Sequence, residues 1–300
     1  MKIPYYPGCT LKTTAKNFED SALASLKELG IELAELPRWN CCGTVYSLAS
    51  DDLMHQLAPI RNLIRVKEQG EKRVVTLCSM CYNTLKQANL RIKESEEDRN
   101  KINDFMYEEE TKYEGDVEVF HALQILRDEI GFEKIKAAVK KPLKGLKIAP
   151  YYGCLLLRPD SVKIDDPENP SIFDNLIESL GAEALDFPYK NECCGAYQTV
   201  SKKELVVERT RTIVSYAKNM GADLIITSCP LCEFNLDSRQ KEVKEKYPDF
   251  EEIPVLYFTQ LMVIAFGLNK KYRRFDLNYI NPEPLLKEKK SFIGETPNSV

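Results

Sequence analysis

All ten cysteines of the chain fall into two sets of five. The first is Cys9, Cys41, Cys42, Cys78 and Cys81; the second is Cys154, Cys193, Cys194, Cys229 and Cys232. Their spacings are C-x31-CC-x35-C-x2-C and C-x38-CC-x34-C-x2-C, with a glycine after each adjacent pair. Each kind of thiol chemistry needs a different number of cysteines. Five is odd, so disulfide pairing leaves one thiol over in each set. Zinc takes four ligands on a tetrahedron, and C-x2-C is a standard half-site for it, but one thiol per set stands idle. A cubane iron–sulfur cluster also takes four, and the compact ferredoxin run is absent. A thioredoxin-like C-x-x-C after a strand uses only two of the five. Adjacent thiolates are awkward ligands for one ion and fit more naturally on different metal atoms of a cluster. The glycine that follows lets the backbone turn closely around it. The residues alone leave three readings open: an iron–sulfur cluster that is not a plain cubane, zinc, and thiol redox chemistry.

The elements that must position these thiols are written twice. "KIPYYPGC" ending at Cys9 matches "KIAPYYGC" ending at Cys154, and "NCCG" at Asn40 matches "ECCG" at Glu192. "RVVTLCSMCYNTL" from Arg73 matches "DLIITSCPLCEFNL" from Asp223, and "VEVFHALQIL" from Val117 resembles "VLYFTQLMVI" from Val255. The cysteine motifs are offset by 145, 152 and 151 residues in unbroken order, the mark of a duplicated unit. Two domains follow, residues 1–143 and 144–300, with the boundary near Lys141 to Lys147. In each half an apolar run ends at the first cysteine. A helix follows ("NFEDSALASLKELG", "SIFDNLIESLGA") with Gly30 or Gly181 where a C-cap belongs. Then come a short strand ("IELAEL", "EALDFP"), the double cysteine, a second helix, and a β-branched strand running into C-x-x-C. Strands alternating with helices predict α/β domains with mostly parallel sheets, here two copies related by a pseudo-two-fold axis. Ligands of such sheets sit at the carboxyl ends of the strands, where all ten cysteines lie, so the sets are expected to converge.

The bulk numbers exclude other classes. The 300 residues are 43% hydrophobic and 29% charged, with a net charge of -4. No basic block points to a nucleic acid. "MKIPYYPGCT" has no apolar signal region, and "PVLYFTQLMVIAFGL" from Pro254 is too short and too polar to span a bilayer. The expectation is a cytoplasmic protein with reduced thiols and no membrane partner. "KESEEDRNKINDFMYEEETKYEG" reads as a solvated helix with i,i+4 pairs. The tail after Asn269 reads as extended and able to wrap a partner.

The two copies of this cysteine pattern, each with CCG, resemble the cysteine-rich CCG domains of the B subunit of heterodisulfide reductase over nearly the whole chain. "RPDSVKIDDPENPSIFDNLIESLGAEALDFPYKNECCGA" from Arg158 is especially similar. CCG domains also occur in lactate, glycolate and glycerol-3-phosphate oxidoreductases, whose second copies often lack cysteines; here both sets are complete. The resemblance implies a noncubane 4Fe–4S cluster in each half, with all ten cysteines at ligand positions. It implies cleavage of the coenzyme M–coenzyme B disulfide between the two clusters by sequential one-electron transfers. It further implies a soluble complex with two partner subunits, one an iron–sulfur protein of ferredoxin type and the other a flavin-bearing, electron-bifurcating protein. A hydrogenase or formate dehydrogenase would feed that complex indirectly. The competing expectations are a CCG protein that acts on another disulfide or a quinone, and a scaffold with zinc in one or both halves.

Such a disulfide is anionic at both ends, so cations are expected beside the thiols. Lys12 and Arg158 follow the first cysteine of each set by three and four residues, and Arg38 and Lys190 precede each double cysteine by three. Surface solvation is the ordinary role for any one of them. His55 and His121 are the only histidines. His55 follows the first CCG and is the candidate proton donor to a product thiolate. His121 sits in an apolar run and reads as structural. Trp39 is expected to pack beside the first set.

Overall fold

Short β-branched and aromatic runs make the strands, and the amphipathic segments between them return over the sheet as right-handed crossovers. The computed structural model describes residues 1–44 and 53–289. The first half runs β1 (Lys2–Tyr6), α1 (Lys16–Glu28), β2 (Glu32–Glu35), α2 (Leu57–Glu68), β3 (Arg73–Thr76), α3 (Ser79–Glu94), α4 (Glu96–Phe105), β4 (Glu118–His121) and α5 (Ala122–Gln124). A π-helical stretch, Ile125–Ile130, leads on to α6 (Phe132–Ala138). The second half runs β5 (Lys147–Pro150), α7 (Ile172–Ser179), β6 (Glu183–Ala184), α8 (Lys203–Asn219), β7 (Leu224–Thr227), α9 (Pro230–Ser238), α10 (Gln240–Lys246), β8 (Val255–Tyr257), α11 (Phe258–Ala265) and α12 (Glu283–Glu288).

The two sheets have the same order, β2-β1-β3-β4 and β6-β5-β7-β8, and every pair is parallel. Helices cover both faces, so the inner strands are apolar throughout, as in the fully buried Leu224–Thr227. Gly30 and Gly181 take φ of +83° and +84° just past α1 and α7, as the C-cap reading predicts. The charged segment is helical only in part: α4 spans Glu96–Phe105, capped by Ser95 accepting from the Asp98 N–H at 3.1 Å and carrying a Glu97–Lys101 pair, while residues 106–115 run on without a helix. The strand expected in "EALDFP" stops after two residues. Leu185 still bonds Ile148, but the Phe187 N–H turns back to the Leu185 carbonyl at 2.8 Å, and Pro188 has no N–H to extend the ladder.

The helix after the first strand of each half packs on the helical segment after the last strand of the other, α1 on α11 and α7 on α6. This reciprocity is what a pseudo-two-fold demands. At α1–α11, Phe18 stacks on Tyr257 with centroids 4.2 Å apart, and the buried hydroxyls of Ser21 and Thr259 lie 2.6 Å apart. The larger apolar core runs through both halves, and a second lies within the second half.

The tail is not extended over its described part. It makes two 3-10 turns and α12 and folds onto its own chain. Asn278 donates to the Val255 carbonyl at 2.9 Å and accepts from Gln260 at 2.9 Å, and Arg274 pairs with Asp20 at 2.9 Å. With Phe275 and Leu286 buried in the core, these polar side chains hold a segment whose composition alone reads as extended. Among the described residues no helix is long and apolar enough to cross a membrane.

Candidate metal centres

Parallel strands deliver the thiols to one end of each sheet. Cys78 and Cys229 follow β3 and β7 by two residues and are the N-cap residues of α3 and α9. Neither sulfur closes a cap hydrogen bond, and the two differ: hydrogen bonding to Cys229 pushes Cys78 up, while hydrogen bonding to Cys232 and Cys78 pulls Cys229 down. A helix N-terminus with free N–H groups favours thiolate over thiol. Cys81 and Cys232 occupy the first turns of the same helices, so each C-x-x-C points both sulfurs to one side.

Within the first set, Cys9 and Cys41 sulfurs are 3.9 Å apart and Cys42 and Cys81 sulfurs 3.6 Å apart. In the second, Cys194 and Cys232 are 3.5 Å apart. Cys9 influences Cys41, Cys41 influences Cys42, and Cys81 joins Cys42 to Cys78; Cys154, Cys193, Cys194, Cys232 and Cys229 repeat the series. The series join, because Cys78 and Cys229 perturb each other. Beside them the Ser79 and Ser228 hydroxyls are 2.8 Å apart. The two sets thus meet at the seam between the halves. Among the described residues no three His, Cys, Asp or Glu side chains gather closely enough to hold a single metal ion.

At the double cysteines the electrostatics repeat as well. Thiol donation from Cys42, then Cys9, pulls Cys41 down to about 2. Donation from Cys154, then Cys194, with the Gly195 and Ala196 N–H groups, pulls Cys193 down to about 2. Their neighbours move the other way, Cys42 up to about 11 and Cys194 up to about 12, each chiefly because of the adjacent thiolate. Within each pair the first thiol is thus pushed toward thiolate and the second away from it.

Two further pairs are not apparent from the sequence. Tyr6 donates to the Asn40 carbonyl at 2.8 Å, and Tyr151 donates to the Glu192 carbonyl at 2.6 Å. Each tyrosine lies three residues before its first cysteine and fixes the residue preceding the double cysteine. Gly8 and Gly153 precede the same first cysteines, with φ of +73° and +66°. A Cβ on Gly8 would lie 2.8 Å from the Cys81 sulfur, and one on Gly153 3.0 Å from the Cys232 sulfur. The repeated "YY…GC" is the signal that could have found all four. Asn62 and Arg209 hold the CCG loops from outside: Asn62 receives the Asn40 N–H at 2.9 Å, and Arg209 donates to the Cys193 carbonyl at 3.1 and 3.2 Å. Asn83, two residues after Cys81, crosses the seam to the Leu155 and Arg158 carbonyls at 2.7 and 2.8 Å. Nothing in one linear sequence announces that contact.

A small, partly enclosed cleft lies against the second set. It is lined by Cys154, Cys194, Cys229, Cys232 and Tyr197, with Ser79 reaching in from the first half. The corresponding loop of the first half runs from Gly43 and Thr44 into residues 45–52, outside the described residues.

The candidate cations divide. Lys12 is held between Glu19 at 2.7 Å and Glu35 at 2.5 Å. Lys190 is buried, bonded to Asn169 and paired with Asp174 at 3.3 Å. Arg38 pairs with Glu68 and is 68% exposed. Arg158 is 51% exposed, bonds the Asn191 carbonyl at 3.1 Å and faces Glu168 at 3.8 Å. Trp39 packs edge-on against Tyr6. His55 lies half-buried in the 3-10 turn Leu53–Gln56 leading into α2.

His121 is fully buried, with Nε2 2.7 Å from the Leu77 carbonyl and Nδ1 accepting the Leu123 N–H. Desolvation lowers its pKa to about 4. The unfolded chain then binds a proton near pH 6.5 that the folded chain binds only near 4. His121 removes stability as pH falls through that window and has no effect above it. Between pH 7 and pH 5 the metal-free chain is expected to lose about 2 kcal/mol more than its His121→Gln variant, read as the difference between their urea unfolding curves.

Comparison with known proteins agrees with this architecture. A family model described as a cysteine-rich domain, CCG, matches residues 3–86 and 148–237. The chain is 32% identical to the 8-methylmenaquinol:fumarate reductase membrane anchor subunit of Wolinella succinogenes, over 94% of this chain and 98% of that one. It is 31% identical to the B subunit of the ferredoxin:CoB-CoM heterodisulfide reductase of Methanosarcina mazei, over 89% of this chain and 90% of that one. A solved structure of a hypothetical protein from Helicobacter pylori shares the fold with a TM-score of 0.74 at 16% identity. It aligns with 92% of this chain, which spans about half of that longer one, 51%.

Proposed function

The chain belongs to the CCG cysteine-rich-domain family, with two copies of the domain, and from that membership we propose that it is the disulfide-reducing subunit of a soluble, cytoplasmic heterodisulfide reductase complex. The observation that carries the reading is the meeting of two complete five-thiol sets at the seam, where Ser79 and Ser228, the residues beside Cys78 and Cys229, bring their hydroxyls within 2.8 Å. The donor set fits the group the family implies. Five thiols at one sheet end, with sulfurs 3.5–3.9 Å apart in the closest pairs and no three at one ion site among the described residues, suit an object larger than one ion. Cys9, Cys41, Cys42, Cys78 and Cys81 would hold one noncubane 4Fe–4S cluster, and Cys154, Cys193, Cys194, Cys229 and Cys232 the other. Such a pair supplies a disulfide with single electrons from two sides.

The reaction consumes two electrons and two protons, breaks one S–S bond and yields two thiols; with the coenzyme M–coenzyme B disulfide these are the two coenzymes. Electrons come from a partner iron–sulfur protein of ferredoxin type, charged by a flavin-bearing, bifurcating partner that a hydrogenase or formate dehydrogenase supplies in turn. The chain's own residues orient and neutralise. Arg158 and Arg38, still largely exposed, are assigned to the anionic substrate ends, while Lys12 and Lys190 brace the loops that carry the thiols. Ser79 lines the cleft from the first half, with its hydroxyl held by Ser228, and His55 is the proposed proton donor on the first side. The Wolinella relative, named for a menaquinol reaction, supports a second reading: the same two-centre scaffold serving a quinone-linked complex.

Iron, zinc and acid-labile sulfide are to be counted on anaerobically purified protein, followed by an assay of thiol release. About eight iron per chain, no zinc, and release of both coenzyme thiols are expected. Zinc without iron would leave only a scaffold. Iron without thiol release from that disulfide would favour the quinone-linked reading.

A further inference from the structure

The duplication is broken at one buried position beside a thiol. Asn235 and Thr84 are equivalent, each six residues after the C-x-x-C cysteine that caps its helix. Asn235 is fully buried and directs Nδ2 at the Cys194 sulfur, 3.4 Å away, and at the Cys194 carbonyl, also 3.4 Å away. Its orientation is settled by its neighbours. Arg239 can only donate, and gives a hydrogen bond to the Thr199 hydroxyl at 3.2 Å. The Thr199 proton is then free for the Asn235 carbonyl oxygen at 2.9 Å, which leaves the NH2 group facing the sulfur. Thr84 is 1% exposed, and its hydroxyl has no hydrogen-bond partner among the described residues. Backbone donors are distributed differently in the two halves: Gly43 serves Cys41 and Thr44 serves Cys42, while Gly195 and Ala196 both serve Cys193, so the N–H aimed at the Cys194 sulfur is the side chain of Asn235.

We propose that Asn235 makes the two centres unequal, holding the second at the higher reduction potential so that it accepts an electron before the first. This rests on the cluster reading above. A centre gains negative charge on reduction, and an N–H donor on a ligand sulfur stabilises the charged state more than the uncharged one. Second-shell donors tune metal sites in this way. Asn235 is a positioning residue that acts through Cys194. The order of filling gives direction to the pair: the second side is electron-rich first, and the disulfide sulfur beside the cleft meets the reduced centre.

The test is a redox titration of the anaerobically reconstituted full chain, followed by electron paramagnetic resonance, with iron counted on each sample. The parent is expected to show two midpoints. Asn235→Thr, which copies the first half, lowers the higher midpoint by about tenfold in the reduction equilibrium, roughly 59 mV for one electron, and leaves the other in place. Thr84→Asn raises the lower midpoint. If Asn235→Thr fails to hold iron, Thr199→Val is read instead. It keeps the amide, removes the hydroxyl that orients it, and should lower the same midpoint. Midpoints unmoved in variants that keep about eight iron overturn the proposal. A parent chain without iron defeats the cluster reading instead.

Discussion

Gly8→Ala is expected to strip the first half of its metal while the chain still folds, so that iron falls from about eight to about four per chain. Two effects combine at this position. The backbone is left-handed, φ +73°, which costs a residue with a Cβ about 1–2 kcal/mol. The new methyl would also stand 2.8 Å from the Cys81 sulfur, well inside contact distance. A sulfur at the tip of a free side chain could swing away, but Cys81 is 4% exposed and sits in the first turn of α3. Its exits are blocked by packing, and any rotation takes it from the line of ligands. Gly153→Ala should do the same to the second set, where the collision is with Cys232 at 3.0 Å. Gly30→Ala is the control. It has φ +83° and nothing within 4 Å of the added carbon, so it carries the backbone cost without the collision and should keep its iron. Iron and acid-labile sulfide on the three variants decide the matter. Full retention in Gly8→Ala and Gly153→Ala would mean that neither glycine shapes a metal site.

These glycines lie at the limit of what the sequence makes legible. The duplication, the parallel sheets and the ten thiols at strand ends are legible because each is written locally: a β-branched run, a glycine, a cysteine at a repeated offset. The repeated segments even contain Tyr6, Tyr151, Gly8 and Gly153. Their roles depend on what lies opposite in space, so in the sequence they pass as ordinary matches. Lys12 and Lys190 show the reverse source of error. Similar offsets from the cysteines suggest a shared role, but a charge goes to whichever partner the fold brings near, and here those are Glu19, Glu35 and Asp174. The tail reads as extended because its anchors are scattered single residues, the polar Asn278 and Arg274 and the apolar Phe275 and Leu286, with no periodic apolar pattern to announce them. The meeting of Cys78 with Cys229 needs both halves and the seam, which no window of residues contains.

That seam leads to the other large effect. Phe18→Ala is expected to cost the metal-free chain about 3–5 kcal/mol. Phe18 is fully buried in α1, and its ring meets two aromatic rings of the other half, Tyr257 at 4.2 Å and Phe258 at 5.7 Å. The two rings come from the junction of β8 and α11, too firmly packed to close over a missing side chain, so a cavity should remain. Next to it the Ser21–Thr259 hydrogen bond depends on the same helix spacing. The cost therefore falls on the joint between the halves more than on either sheet. Trp39 is the only tryptophan and lies in the first half, whereas circular dichroism sees both. In the parent chain, urea unfolding followed by the two signals should coincide, since the larger core spans both halves. In Phe18→Ala the curves should separate, because each half keeps its own four-stranded sheet but loses its main purchase on the other. Phe18→Leu, which keeps most of the volume, should leave them together at a cost of about 1 kcal/mol. Coincident curves and an unchanged midpoint in Phe18→Ala would show that the halves are joined elsewhere, with the α6–α7 contact as the remaining place to look. Because the thiol sets face each other only while that joint is closed, the same variant is expected to lower thiol release far more than it lowers iron content.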